Sequence, residues 1–129
     1  MRINGIAHIA LNVSNLKRSK MFYDIILTKL GMELIHSSSK SFYYIGGRTG
    51  ILIQQANTNK SKLFSQDDIG LHHFCFRMRS EDDINNFYKF LKEYKIKTIR
   101  GPIYGNWIPG YYYLLFEDPD KIRLEINYV

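Results

Sequence analysis

"LHHFCFRM" (residues 71–78) alternates apolar and polar positions behind a pair of histidines, and "HIALNV" (residues 8–13) does the same behind a single one. Such alternation is the pattern of a half-buried strand, because neighbouring side chains leave a strand on opposite faces. His8 and His73 stand 65 positions apart, and at the same offset Phe22-Tyr23 falls on Phe87-Tyr88. A duplication therefore organises the chain. In the first copy, residues 6 to 13 read as a strand. Ser14 stands as N-cap before Phe22, Ile25, Ile26 and Leu30 at helical spacing, and Gly31 is the stop. Strand candidates at 32–36, 41–45 and 50–55 complete a β-α-β-β-β order. The polar run "NTNKSKLFSQDD" (residues 57–68) reads as a linker. The order then restarts with a strand at 71–78 and a helix capped by Ser80, with Asp83 three positions on. Ile84, Phe87, Tyr88 and Leu91 form its apolar stripe, and strands at 96–100, 111–117 and 121–128 follow.

Composition narrows the classes of function. At 129 residues, 45% apolar and 15% aromatic, the chain has material for one packed domain, expected over 1–129 with modules at 3–56 and 70–129. No signal peptide or membrane-spanning run is visible, and the lone Cys75 has no internal disulfide partner, so a reducing cytoplasmic location is expected. The net charge of +6 is scattered rather than gathered into a tract, which argues against nucleic acid as a partner.

Alternation also assigns faces. Ile9, Leu11 and Val13 point to the helix, leaving His8, Ala10 and Asn12 opposite; Phe74, Phe76 and Met78 likewise leave His73, Cys75 and Arg77. In the last strand Ile122, Leu124, Ile126 and Tyr128 are core, with Arg123, Glu125 and Asn127 away from it. In the fourth, Leu52 and Gln54 face the way of the histidines. If the sheets curve into a common half-barrel, His8, Gln54, His73 and Glu125 converge on a hollow. A lone strand histidine is usually a hydrogen-bonded wall residue. Two at equivalent repeat positions, with a carboxylate on the same face, point instead to a divalent-metal ligand set with open positions. His72 points the other way and His36 falls in a turn, so both read as structural.

The stretches "HIALNVSNLKRSKMFY", "GLHHFCFRM" and "FEDPDKIRLEI" resemble the vicinal oxygen chelate superfamily, which includes glyoxalase I, methylmalonyl-CoA epimerase, fosfomycin-resistance proteins, bleomycin-binding proteins and extradiol dioxygenases. The resemblance runs from about Ile3 to Tyr128. It implies an α+β fold: two βαβββ modules forming a cupped, incompletely closed eight-stranded mixed sheet with helices outside. It also implies metal ligands at His8, Gln54, His73 and Glu125.

Departures from individual members shape the functional expectation. Gln54 stands where many glyoxalase I enzymes have a glutamate, and the extra glutamate base of the epimerase has no counterpart in "SFYYIGG" (residues 41–47). Ala10 replaces a threonine of the fosfomycin-resistance enzymes, and "GPIYGNWIPGYYY" (residues 101–113) lacks their serine-rich contacts. The leading expectation is a glyoxalase-like lyase or isomerase using nickel, cobalt, zinc, manganese or iron(II) to stabilise an enolate of a small oxygen-rich metabolite, with Glu125 as ligand and proton carrier. An iron(II) extradiol-type dioxygenase and a metal-free bleomycin-resistance-like binding protein are the alternatives. Arg77 and Arg123 are candidate anion contacts, or else rim salt bridges to Glu117, Asp118 or Asp120. Asn12 lines the wall; Tyr113 and Trp107 cover a planar substrate or serve core packing and dimer contact. A homodimer is expected, as is common in the superfamily, because small modules leave sheet edges exposed.

Overall fold

The computed structural model describes residues 1–58 and 60–129. The element order is β1 (His8–Val13), α1 (Leu16–Lys29), β2 (Glu33–Ser37), β3 (Ser41–Gly46), β4 (Thr49–Gln55), β5 (Phe74–Arg77), α2 (Glu81–Glu93), β6 (Thr98–Tyr104), β7 (Tyr112–Glu117) and β8 (Arg123–Tyr128). The chain divides into two compact units, Met1–Leu63 and Phe64–Val129, each with one βαβββ set. The eight strands make two four-stranded sheets, ordered β1-β4-β3-β2 and β5-β8-β7-β6. In each the first strand runs parallel to the last of its unit and the other pairings are antiparallel, so both are mixed. This is the α+β two-module architecture that the sequence implies. Among the described residues no helix is long and apolar enough to cross a membrane.

In unit one, α1 buries Leu16, Tyr23, Ile26 and Leu27, and the sheet answers with Leu11, Val13, Phe42, Tyr44, Ile51 and Ile53. The hydroxyl of Tyr44 donates to the Asp24 carboxylate on α1, tying sheet to helix. Burial, then that hydrogen bond, pushes the Tyr44 phenol far above its ordinary value, so it stays a donor at any physiological pH. In unit two, α2 buries Ile84, Phe87 and Leu91, with the Phe87 ring 5.7 Å from that of Phe116 on β7. Each fully buried aliphatic contributes about 1.5–3 kcal/mol, which is why the apolar rows fix both sheet faces.

Several boundaries move from the sequence reading, each for a local reason. Helix α1 is capped by Asn15, whose Oδ1 accepts from the Arg18 N–H at 2.9 Å; Ser14 instead accepts from the Arg18 guanidinium. Leu30 closes α1 and Gly31 follows at φ +81°. Strand β5 starts at Phe74 rather than 71, because its partner β8 starts at Arg123 and the first paired residue is Leu124, after the turn from Asp118 to Lys121. Strand β6 runs to Tyr104 through register shifts between Thr98 and Ile103. His36 is not in a turn but within β2, aligned with Tyr43. Residues 57, 58 and 60–68 of the linker form neither helix nor strand; position 59 lies outside the described residues.

Candidate metal half-sites on the two polar sheet faces

Strand register sorts the side chains of unit two. Opposite α2, one face carries Cys75 and Arg77 from β5, Glu125 and Asn127 beside them on β8, then Leu115 and Tyr113 on β7. Glu125 lies on a strand flanked on both sides and is only 4% exposed. A carboxylate in such a place needs partners, since burying an unpaired charge costs several kcal/mol or more. It has three. The Tyr111 hydroxyl donates to Oε1, the Cys75 thiol donates to the same oxygen at 3.4 Å, and Nε2 of half-buried His73 stands 3.6 Å from Oε2. The second ring nitrogen of His73 lies 2.7 Å from Nδ1 of His72, one donating and the other accepting. His72 is therefore not a bystander: it fixes how the His73 ring is turned, leaving Nε2 toward the carboxylate.

These contacts set the titration of the neighbours. Burial first, then the negative charge and hydrogen bond of Glu125, push the Cys75 thiol up to about 12. Although Cys75 as a residue reaches solvent, its sulfur is turned to the carboxylate and the carbonyl of Phe76, and it remains a thiol at neutral pH. Burial, then the bond to Glu125, likewise raises the Tyr111 phenol above its ordinary range. Tyr111 lies just outside β7 in an aromatic group, 5.2 Å from Trp107 and 5.8 Å from Tyr113. Trp107 is 57% exposed, whereas Tyr113 is 4% exposed and serves packing in this unit. Arg77 is exposed and Arg123 half-buried. The Arg123 Nε is a buried donor with no hydrogen-bond partner among the described residues, while Glu117, its neighbour on β7, pairs with Lys121 at 3.8 Å.

Unit one is arranged differently. His8 and Asn12 are exposed on the β1 face turned away from α1. The parallel register sets His8 beside Gly50 and Asn12 beside Gln54. The Gln54 amide donates to the Asn12 side chain at 2.8 Å. Four strand residues, about 13 Å, separate that pair from His8. Expected as co-ligands, His8 and Gln54 are held apart by register, a separation that alternation alone does not reveal. On the same face the Tyr43 ring lies 6.5 Å from that of His8, edge-on. His8, His36, Tyr43 and Leu52 line a cavity of about 330 Å³.

Among the described residues no three histidine, cysteine, aspartate or glutamate side chains form a ready-made metal cluster. The donor chemistry of unit two nevertheless fits half of one. Two ligands each about 2.1 Å from a shared ion, and 3.6 Å from one another, subtend about 120° at it, within the range for a tetrahedral or five-coordinate zinc-type centre. His72 and Tyr111 then occupy the outer positions that orient such ligands.

A chain of two βαβββ units, with an imidazole at the head of β5 facing a carboxylate on the inner strand β8, has the two-module α+β architecture of one large class of small-domain proteins. The chain is a member of the Glyoxalase/Bleomycin resistance protein/Dioxygenase superfamily, whose model matches residues 5–126. It is 30% identical over 126 residues to the metallothiol transferase FosB of Staphylococcus haemolyticus, spanning 97% of this chain and 84% of that protein. A solved structure from Bacillus halodurans, described as a glyoxalase, superposes with a TM-score of 0.87 at 28% identity, covering 98% of this chain and 96% of that one. Lactoylglutathione lyase from Agrobacterium tumefaciens shares the fold, with a TM-score of 0.74 at 19% identity over 99% and 96% of the two chains.

Proposed function

We propose that this protein is a metal-dependent enzyme that activates a small oxygen-bearing metabolite, with lyase or isomerase chemistry through an enolate as the first reading. The observation that carries it is the buried Glu125 carboxylate facing His73 Nε2 at 3.6 Å, each held by an outer partner. His73 and Glu125 are the candidate donors of unit two, and His8 is the candidate donor that unit one keeps, with Gln54 left out because of its register with Asn12. An imidazole and a carboxylate suit nickel, cobalt, zinc, manganese or iron(II). When bound, such an ion supplies Lewis-acid polarisation of a carbonyl or hydroxyl oxygen.

The chain's own groups do the rest. Tyr111 holds one oxygen of Glu125, so the other is left to bind or to carry a proton. His72 keeps Nε2 of His73 in its donor orientation. Cys75 stays protonated and does not compete as a thiolate. Arg123, with its unmet Nε, is suited to an anionic group on the substrate, since unsatisfied buried donors commonly mark such contacts. A homodimer accompanies this reading: β2 is an edge strand exposed along its whole length and offers a pairing surface to a second copy.

A second reading is thiol transfer to an electrophilic small molecule. The 30% identity to metallothiol transferases favours it, as does a donor set without a second carboxylate to serve as base. Calorimetric titration with manganese, nickel, zinc and iron(II) tests the shared premise: one equivalent bound per chain is expected, and no binding would sink both readings in favour of a metal-free binding protein. Thiol consumption against hemithioacetal isomerisation then separates them, and oxygen uptake with catechols reports the dioxygenase alternative.

A further inference from the structure

The cavity of unit one is built by a missing side chain. Gly50 sits on β4 between His8 on β1 and Ile45 on β3. A Cβ placed there would lie 2.6 Å from Cζ of Tyr43, well inside van der Waals contact. The Tyr43 ring, rooted beside Leu52, therefore reaches with its hydroxyl end across the bare backbone of residue 50. The His8 ring is perpendicular to it, at an interplanar angle of 88°. Leu52 and His36 form the remaining walls, and the four lining residues come from all four strands of the sheet. Ala10, aligned with Leu52, adds no bulk. Among the described residues no lysine, arginine or carboxylate lines the cavity.

From this geometry we infer that unit one binds a planar conjugated ring, uncharged and bearing an oxygen, stacked on Tyr43 with His8 and His36 as polar contacts at its rim. The inference rests on the reading above only for the role of His8, and it names the class of molecule which that reading leaves open. An aromatic ring in the lining with an imidazole set perpendicular to it favours offset stacking and edge contacts, which a saturated ring of equal size does not reproduce. The absence of fixed cations in the lining disfavours a phosphonate or other dianion here.

Phenol and cyclohexanol, matched in size and hydroxyl group, test the inference on full-length protein kept in EDTA. Binding is read by saturation-transfer NMR and by the ring resonances of Tyr43. Phenol is expected to bind about fivefold tighter than cyclohexanol. Gly50→Val, which displaces the ring from residue 50, and Tyr43→Leu, which removes it, are each expected to abolish that preference. Because Tyr43→Leu alters a packed face, Gly50→Val with an unchanged circular dichroism spectrum is the deciding variant. Equal binding of the two probes, no binding of either, or a phenol preference that survives Gly50→Val overturns the inference. Metal titration of the wild type is run beside it. Stoichiometric metal without phenol preference removes the ring site alone, and phenol preference without metal removes the metal reading while supporting the ring site.

Discussion

The polar faces of the two units descend from one pattern and have diverged in kind. Unit two gathers its polar groups: Glu125 is buried and engaged by Tyr111, Cys75 and His73, with His72 behind. Unit one spreads them: His8 is exposed beside a cavity, and Gln54 and Asn12 satisfy one another four residues along the strand. A buried carboxylate with an oriented imidazole is organised before any ligand arrives, whereas an exposed imidazole beside a flat ring leaves its face open. Duplication supplied two equal frames, and the residues filling them have assigned charge handling to one and shape to the other.

The largest effect expected from this contrast is on metal affinity. Outer-shell partners are worth about 10–100-fold in affinity, so losing a ligand itself should cost about 100-fold or more. Calorimetry should therefore show Glu125→Gln losing that much while Gln54→Ala changes affinity less than about threefold. Equal losses would erase the distinction between the units. Next in size is a pH effect. In metal-free protein Cys75, raised to about 12 against about 8.5 for a free thiol, should react with iodoacetamide roughly 50-fold more slowly at pH 7 than in urea. Its protonated form is the one the fold favours. This contribution to stability is complete below about pH 8.5 and declines as pH climbs toward about 12. A reaction rate that levels off near pH 8.5 in the native state would break the picture of an engaged sulfur.

His72→Ala should weaken metal binding about tenfold and release the His73 ring, visible as a changed tautomer balance in its nitrogen-15 shifts. An unchanged balance would make His72 a surface residue after all. Smallest is the helix-cap comparison. Ser80 caps α2 by accepting from the Asp83 N–H at 3.1 Å, and Asn15 caps α1 in the same way. Replacing either by alanine should cost about 1 kcal/mol in urea denaturation. The loss should be alike in the two units, because the caps are a part of the frame that has not diverged.

How much of this was legible depends on the residue. The caps are legible from the repeat: Asn15 and Ser80 are 65 positions apart, the same offset as His8 and His73, so the duplication favours Asn15 over Ser14. The buried row of β8 was legible because Leu124 and Ile126 alternate with Arg123, Glu125 and Asn127, whereas in β4 Leu52 stands between the buried Ile51 and Ile53 and blurs the alternation. Less visible was which member of each Phe-Tyr pair is buried. It is Tyr23 in one helix and Phe87 in the other, although Ser19 and Ile26 of α1 and Ile84 and Leu91 of α2 are buried at the same 65-residue offset. His36 and Tyr43 were hidden as a site because nothing in the sequence says that Gly50 leaves room for a ring.

Periodicity and repetition by themselves determined the element order, the two modules and the face on which each candidate donor lies, because these follow from backbone geometry that every residue obeys. Register and three-dimensional neighbourhood decided the rest: that Gln54 meets Asn12 and not His8, that Tyr111 and His72 engage Glu125 and His73, and that a glycine makes room for the Tyr43 ring. A strand's alternation fixes direction to within two faces, but position along the strand is set by hydrogen bonding to a partner far away in the chain, and contact depends on both.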